Sequence, residues 1–468
     1  MQSGSFPKLY FLAYDTICGF CLVVSINMRK LIFALIYFFI LQPSQAQEIR
    51  EFMDLQSHMT VHIPYGFFGK GLTYFSDDDP PKSSYKHTFT NVNHANFLEN
   101  NQGARIIING ALSKEWVTSK KKARRVIVEQ IDYVNDFISK HSDKFALAKS
   151  PQEVRDLVTN TNKTIVIHSI EGGRRLINSQ EDADFWASQG IAFITLVHLL
   201  DDENGASAIT PGLMTSLINA KGGFRKEKNR RLTEHGKQAI QYLANAGIMT
   251  DISHMSELTR KDALDYMFEH NIPPISTHDG FQPIQNSPRG ISAADIIRIY
   301  QHNGFVSLPL SGGALKPHKS FPIYQKMLDS LSRADCYCEG SIDDYKFTYQ
   351  VVKEYIENNA AAIAKDSMVV FAELNDSQKV KYSIGFQTDF NGWLNHNRPR
   401  YGKDGCYELV ADREYGEIEL KGLAHPGLLN AHWNLLIREG VDLEPIKRSS
   451  EKFLQLWQYF LDHRRLED

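Results

Sequence analysis

The chain has 468 residues, 42% hydrophobic and 23% charged, with a formal charge of −3 at pH 7. That is the balance of an ordinary soluble globular protein. It leaves no basic footprint for nucleic acid and no electrostatic pull toward an anionic bilayer, so neither is expected as a partner.

In chain order, the first pattern is a targeting signal. Met28-Arg29-Lys30 precedes an apolar run over residues 31–41 that is too short to span a bilayer, and Ser44-Gln45-Ala46 offers a small-x-small cleavage site. Residues 1–46 therefore read as an N-terminal extension plus a signal peptide at 28–46, which implies a periplasmic or secreted protein. Residues 1–27 read as an upstream start. The rival reading is an uncleaved membrane anchor joining 9–26 to 31–41, but Asp15, Asn27, Arg29 and Lys30 interrupt it. No Cys follows the cleavage point, which argues against a lipoprotein. Only Cys336, Cys338 and Cys406 remain beyond Ala46, which excludes a disulfide framework and leaves room for one bridge. Cys336 and Cys338 read as loop cysteines.

Short apolar runs then alternate with helical segments. The predicted strands are 52–55, 104–108, 164–170, 191–197, 248–253, 274–277, 305–308 and 382–386. They are continuous rather than alternating in polarity, as strands covered on both faces are. Predicted helices span 122–140, 233–246, 256–270, 292–302 and 344–364, with closing helices at 427–439 and 449–463. Thr233 is a plausible N-cap and Gly247 a stop. Eight strands alternating with helices predict an α/β chain, a TIM-like (β/α)8 barrel formed by residues 47–468 as a single domain. Insertions near 62–101 and 310–343 fall where long loops cover the C-terminal face of the strands, as lids or substrate walls.

The strand ends carry the chemistry. His254 and His278 close consecutive strands joined by one helix, so a single βαβ step delivers two imidazoles to one rim. Upstream, 164–170 runs into Glu171-Gly172-Gly173, where the glycines give backbone room for an ion. Two histidines and a carboxylate at one rim form a hydrolytic metal site, in which metal-bound water is acidified for attack on a carbonyl. His198 ends the fourth strand. Asp389 ends the eighth and is placed to move a proton, with capping of the turn at Phe390-Asn391-Gly392 as its alternative role. Arg289 offers a planar fork for an anionic substrate end. Strand one supplies Asp54, Gln56 and His58. His168 is expected in the core, and Lys120-Lys121-Lys122 as a solvated helix start.

These residues resemble a known family. Glu171-Gly172-Gly173, Ile194-Thr195-Leu196-Val197-His198, Leu232-Thr233-Glu234-His235-Gly236-Lys237, Asp251-Ile252-Ser253-His254, Ser276-Thr277-His278 with Pro288-Arg289-Gly290, and Asp389-Phe390-Asn391-Gly392 are similar to motifs of the membrane (renal) dipeptidases, peptidase family M19. Glu451-Lys452-Phe453-Leu454 resembles the family's closing Asn-Phe-Leu helix. The resemblance spans residues 52–457 and implies a TIM-like amidohydrolase barrel that cleaves dipeptides with two zinc ions. It implies that Glu171 bridges the metals, that His254 and His278 complete one site, and that metal-bound hydroxide attacks. His198 would contact the substrate carbonyl and oxyanion, Arg289 the substrate carboxylate, and Asp389 would shuttle the proton. The family often forms homodimers.

The first strand departs from this pattern. The family supplies Asp-x-His-x-Asp, whereas this chain has Asp54-Leu55-Gln56-Ser57-His58. His58 stands where a carboxylate is usual and is read as a metal ligand beside Glu171, His254 and His278. Gln56 offers only a neutral amide oxygen in place of an imidazole, a weaker zinc ligand. Asn391 likewise replaces an Asp. The reading is therefore an exported zinc dipeptidase with one or two ions. Two alternatives are a mononuclear amidohydrolase on a non-peptide amide or ester, and a non-catalytic peptide-binding descendant.

Overall fold

A computed structural model describes residues 48–60, 84–87, 92–93, 95–113, 119–209, 219, 227–311, 315–318, 337–392 and 394–464. The N-terminal extension and signal stretch, most of both long insertions, and Cys336 lie outside the described residues. Residues 48–468 form one compact unit. Among the described residues, no helix is long and apolar enough to cross a membrane.

The strands are β1 (Met53–Ser57), β2 (Ile106–Leu112), β3 (Phe145–Leu147), β4 (Thr164–Glu171), β5 (Ile191–Thr195), β6 (Met249–Asp251), β7 (Ile275–Ser276), β8 (Phe305–Pro309) and β9 (Gly385–Gln387). All pairings among them are parallel. β1 joins β2 on one side and β9 on the other, and β2 pairs directly with β4, so eight strands close a barrel. The predicted eight-stranded barrel is present.

β3 is the exception to the sequence expectation. It joins β4 only at that strand's start, Phe145↔Thr164 to Leu147↔Val166, whereas β5 takes over the same edge from His168 onward. A three-residue strand is too short to carry a hydrophobic period, so sequence pattern does not reveal it. The long predicted helix 344–364 is broken at Asn359, which caps the end of Ile342–Asn358 and precedes Ala360–Ala364.

Local chemistry sets the other boundaries. Thr233 Oγ1 accepts from Gly236 N at 2.9 Å and Ser256 Oγ from Thr259 N at 3.3 Å, each starting a helix that leads to or from β6. Gly247, at φ +80°, turns the chain from helix into β6 without a Cβ penalty. β2 is buried along its whole length, as is β4 apart from Thr164, since the barrel interior covers one face and helices the other. At the N-terminal end of the barrel, helix Glu444–Asp462 buries Phe453, Leu454, Trp457 and Phe460. Its Glu451 takes a bidentate pair from Arg155 at 2.7 and 2.8 Å and the Ile49 N–H at 3.0 Å, pinning the chain's entry to the closing helix. Cys338 and Cys406 form a disulfide that ties the start of helix Ile342–Asn358 to the loop after β9.

Candidate metal centre

The side chains expected to form the site gather at the C-terminal end of the barrel, and several converge on one carboxylate. Glu171 ends β4 and is buried. Its Oε1 lies 3.1 Å from His278 Nε2, 3.3 Å from His254 Nε2 and 3.6 Å from His198 Nε2. Its Oε2 lies 3.2 Å from His58 Nε2, and that nitrogen lies 3.2 Å from Asp389 Oδ1. The carboxylate thus divides its oxygens between two subsites.

The first subsite is furnished for a cation. Donor atoms of Glu171, His198 and His254 all fall within 4.8 Å of one another. Two ligands each about 2.0–2.2 Å from a tetrahedral zinc stand roughly 3.3–3.5 Å apart, close to the separations that His254 and His278 make with Glu171. The tautomer of His278 makes the case sharper. Thr277 Oγ1 donates to Asp251 Oδ2 at 2.7 Å, which commits the hydroxyl proton. Thr277 Oγ1 is also 2.7 Å from His278 Nδ1, so it accepts from an Nδ1–H. His278 Nε2 then carries a lone pair facing Glu171 Oε1, and it is a buried nitrogen without a hydrogen-bond partner among the described residues. Two electron-rich atoms held 3.1 Å apart in a buried site call for a cation between them.

Asp251 is the residue that this arrangement depends on and that pattern reading passes over. Besides Thr277 it accepts Thr195 Oγ1 at 2.6 Å, Ser253 Oγ at 2.7 Å and the N–H groups of Ser253 and Thr277 at 3.1 Å. Asp279 has a similar part: it accepts Ser276 Oγ at 3.0 Å and the His254 N–H at 3.4 Å, and it lies 3.8 Å from Arg289 Nε. Both acids sit at strand ends within three residues of a site histidine, the one signal that could have marked them.

Two site residues hold a left-handed backbone. His254 at φ +66° and Asp389 at φ +52° adopt the left-handed conformation that residues with a Cβ rarely take. The first is fixed by Ala208 N donating to its carbonyl at 2.6 Å, the second by its own N–H on Gln56 O at 2.8 Å. Gly172 and Gly173 serve the chain turn. Gly172 has φ +96°, and a Cβ on Gly173 would meet Leu196 O at 2.9 Å.

In the second subsite, Gln56 and His58 both enter the site from β1 and its end. His58 Nδ1 donates to Gly110 O at 2.7 Å, leaving Nε2 toward the two carboxylates and 3.3 Å from Gln56 Nε2. Gln56 Oε1 is buried with no partner among the described residues. Gly110 on β2 makes the room: a Cβ there would lie 2.7 Å from Gln56 Nε2 and 3.1 Å from His58 Cε1. Gly110→Ala is therefore expected to cost about 1–3 kcal/mol by overpacking, read as a lowered midpoint in denaturant unfolding; an unchanged midpoint would show that both side chains move aside freely.

Asp54 lies outside the site. It accepts the Thr388 N–H at 2.9 Å and the Thr388 hydroxyl, joining β1 to the residue before Asp389. Burial pushes its carboxyl up to about 7. His168 is in the core, bridging Asn109 at 3.2 Å and Asn135 at 3.0 Å. Lys120 pairs with Asp182 Oδ2 at 2.6 Å. Asn391 caps its turn through Leu394 N at 3.0 Å and donates to Asp389 Oδ1 at 3.0 Å. Asp389 thus stays available to His58, while Asn391 performs the capping that was the alternative role for Asp389.

The charges agree with this division. Burial alone would raise the Glu171 carboxyl, but the charge of His198 and the hydrogen bond from His58 hold it well below the usual range. Burial, helped by Arg289 and His198, pushes His254 well below an ordinary histidine, toward the neutral form a metal needs. Burial works against a charge on His58, yet Asp389 and Glu171 carry it up to about 10. Arg289 Nη2 donates to His254 Nε2 at 3.0 Å and to His278 O at 3.2 Å. That guanidinium and a metal ion compete for the same His254 lone pair.

Comparisons with known proteins agree with the geometry. A family model described as membrane dipeptidase (peptidase family M19) matches residues 82–392. Dipeptidase verJ of Clonostachys rogersoniana is 26% identical over 190 residues, 41% of this chain and 44% of that protein. Dipeptidase ataJ of Aspergillus terreus is 24% identical over 187 residues, 39% of this chain and 45% of that protein. The chain thus spans less than half the length of these curated relatives in the matched stretch. Among solved structures, a metallopeptidase of Rhodobacter sphaeroides liganded with a phosphinate mimic of L-Ala-D-Ala superposes with a TM-score of 0.54 at 12% identity, covering 87% of this chain and 99% of that one. A dipeptidase described as an M19 metallopeptidase gives 0.55 at 13% identity, covering 88% and 98%. These two likenesses establish the fold.

Proposed function

The chain belongs to the membrane dipeptidase family, peptidase family M19, and on that footing we propose that it is an exported, zinc-dependent dipeptidase holding one ion tightly. The observation that carries the reading is the His278 Nε2 lone pair aimed at Glu171 Oε1. Glu171, His254 and His278 would hold the ion, a His2Glu set of the kind that suits catalytic zinc. A zinc ion bound there supplies a Lewis acid that polarises the scissile carbonyl and acidifies water.

The protein's own groups do the rest. Arg289 binds the substrate carboxylate through its fork, leaving His254 as it does so. His198 Nε2, on the Glu171 Oε1 side, donates to the carbonyl oxygen as charge develops on it. Asp389 Oδ1, 3.2 Å from His58 Nε2, accepts the proton of the attacking water and returns it to the leaving amine. The Cys338–Cys406 bridge supports export, since disulfides persist in oxidising compartments.

The second subsite favours a single tight ion. An amide oxygen from Gln56 is a poorer zinc ligand than imidazole, and His58 packs directly between the Glu171 and Asp389 carboxylates. Gln56→His is expected to raise zinc content from about one equivalent toward two, measured by elemental analysis after dialysis. Unchanged content would show that position 56 does not serve a metal.

Gln56 also favours the mononuclear amidohydrolase as a second reading. A panel of L,L- and L,D-dipeptides assayed beside simple amides and esters, with and without chelator, separates the two. Chelator-sensitive dipeptide cleavage supports the dipeptidase. Turnover confined to non-peptide substrates overturns it, and no turnover with bound peptide supports a binding descendant.

A further inference from the structure

At the opposite end of the barrel, where β8 and β9 begin, a cavity of about 330 Å³ opens beside the closing helix. Its wall carries two lysines, Lys381 and Lys452, with Asn303, Ser377, Gln378 and Tyr382, and among the described residues no acidic side chain lines it. Lys452 is only 2% exposed. Among the described residues its ammonium makes one hydrogen bond, to Asn303 Oδ1 at 2.5 Å, where three donors need acceptors. Lys381 Nζ likewise makes one bond there, to Ile363 O at 3.3 Å.

The charge around the cavity is one-sided. Burial lowers Lys452 to about 7 and Lys381 adds to the effect; burial and Lys365 lower Lys381 in turn. The nearby carboxylates are engaged elsewhere. Glu451 is taken by Arg155, and Glu48 by Arg50 and by the Ser377 hydroxyl. Without a counter-charge a lysine buried in this way gives up its proton near neutrality, and a bound anion would restore it, so protonation of Lys452 and anion binding are linked. The cavity is larger than one oxyanion, so the partner is either a free ion with water or the charged head of a larger molecule.

We propose that this cavity binds a compact oxyanion of the phosphate class, accepted by the ammonium groups of Lys452 and Lys381 and by the polar side chains beside them. The site lies away from the metal centre, so it does not depend on the dipeptidase reading.

The test uses the mature full-length protein, titrated with inorganic phosphate at constant ionic strength and followed by its unfolding temperature. The expected result is a saturable rise absent with chloride. Lys452→Met is expected to raise the unfolding temperature without phosphate and to abolish the phosphate response, with dipeptide turnover unchanged. Lys381→Met, at a half-buried position, is expected to weaken phosphate binding about tenfold, and it keeps the test decisive if the Lys452 variant does not fold. A phosphate monoester run in parallel identifies the source: tighter binding than phosphate points to the head of a larger molecule, and phosphate alone to the free ion. No saturable response in the parent protein, or an equal response in both variants, overturns the proposal.

Discussion

Glu171→Gln is expected to empty the metal centre and abolish dipeptide turnover. The carboxylate contacts all four site imidazoles, with Oε1 toward His198, His254 and His278 and Oε2 toward His58. An amide there keeps the shape and removes the charge. It also brings an NH2 group that donates toward the lone pair of His278, the opposite of what a cation needs. Loss of the Lewis acid costs several kcal/mol of transition-state stabilisation, about a thousandfold or more in kcat/KM. Elemental analysis and steady-state kinetics on the same preparation, with circular dichroism to confirm folding, check this outcome. A Glu171→Gln variant that keeps its metal and its turnover would remove Glu171 from the centre.

Asp251→Asn is expected to act at one remove. Through Thr277, Asp251 fixes which nitrogen of His278 carries the proton. Five donors point at its two oxygens, from Thr195, Ser253 and Thr277. Asn accepts at one oxygen only, so its NH2 faces a hydroxyl that previously donated. Thr277 then turns its proton toward His278 Nδ1, and the imidazole reverses to place Nε2–H against Glu171. Loss of an outer partner of this kind weakens metal binding about 10–100-fold. A merely structural role would lower stability without this signature. The distinguishing readout is zinc dependence: activity returns at high zinc with kcat nearly restored, because the ligands themselves remain. A variant inactive at every zinc concentration, or one with unaltered zinc affinity, would contradict the tautomer argument.

These two residues also mark what was legible in the sequence. Glu171, His254 and His278 stand out because a βαβ step and a Gly-Gly turn put them at one rim, and one-dimensional pattern suffices for that. The helix between the two histidines is legible down to its Ser256 cap and its end at His270. Asp251 is silent because its meaning lies in partners from the two neighbouring strands: Thr277 is 26 residues away and Thr195 is 56. The left-handed φ of His254 and Asp389 is hidden for a related reason, since tertiary bonds impose it against local preference. The Cys338–Cys406 pairing spans 68 residues, and three cysteines alone do not select it. Gln56 is the reverse case. Sequence flags it as foreign to its motif, and the fold shows that its amide still enters the site, with Oε1 buried and unpartnered among the described residues.

The central claim is that Glu171, His254 and His278 hold one hydrolytic metal ion, and zinc titration of the chelated protein tests it most directly. The account predicts one tightly bound equivalent, with dipeptide hydrolysis recovering in proportion to it and reaching its plateau at that equivalence. Hydrolysis that persists in the metal-free protein, or a protein that takes up no zinc, would contradict the account.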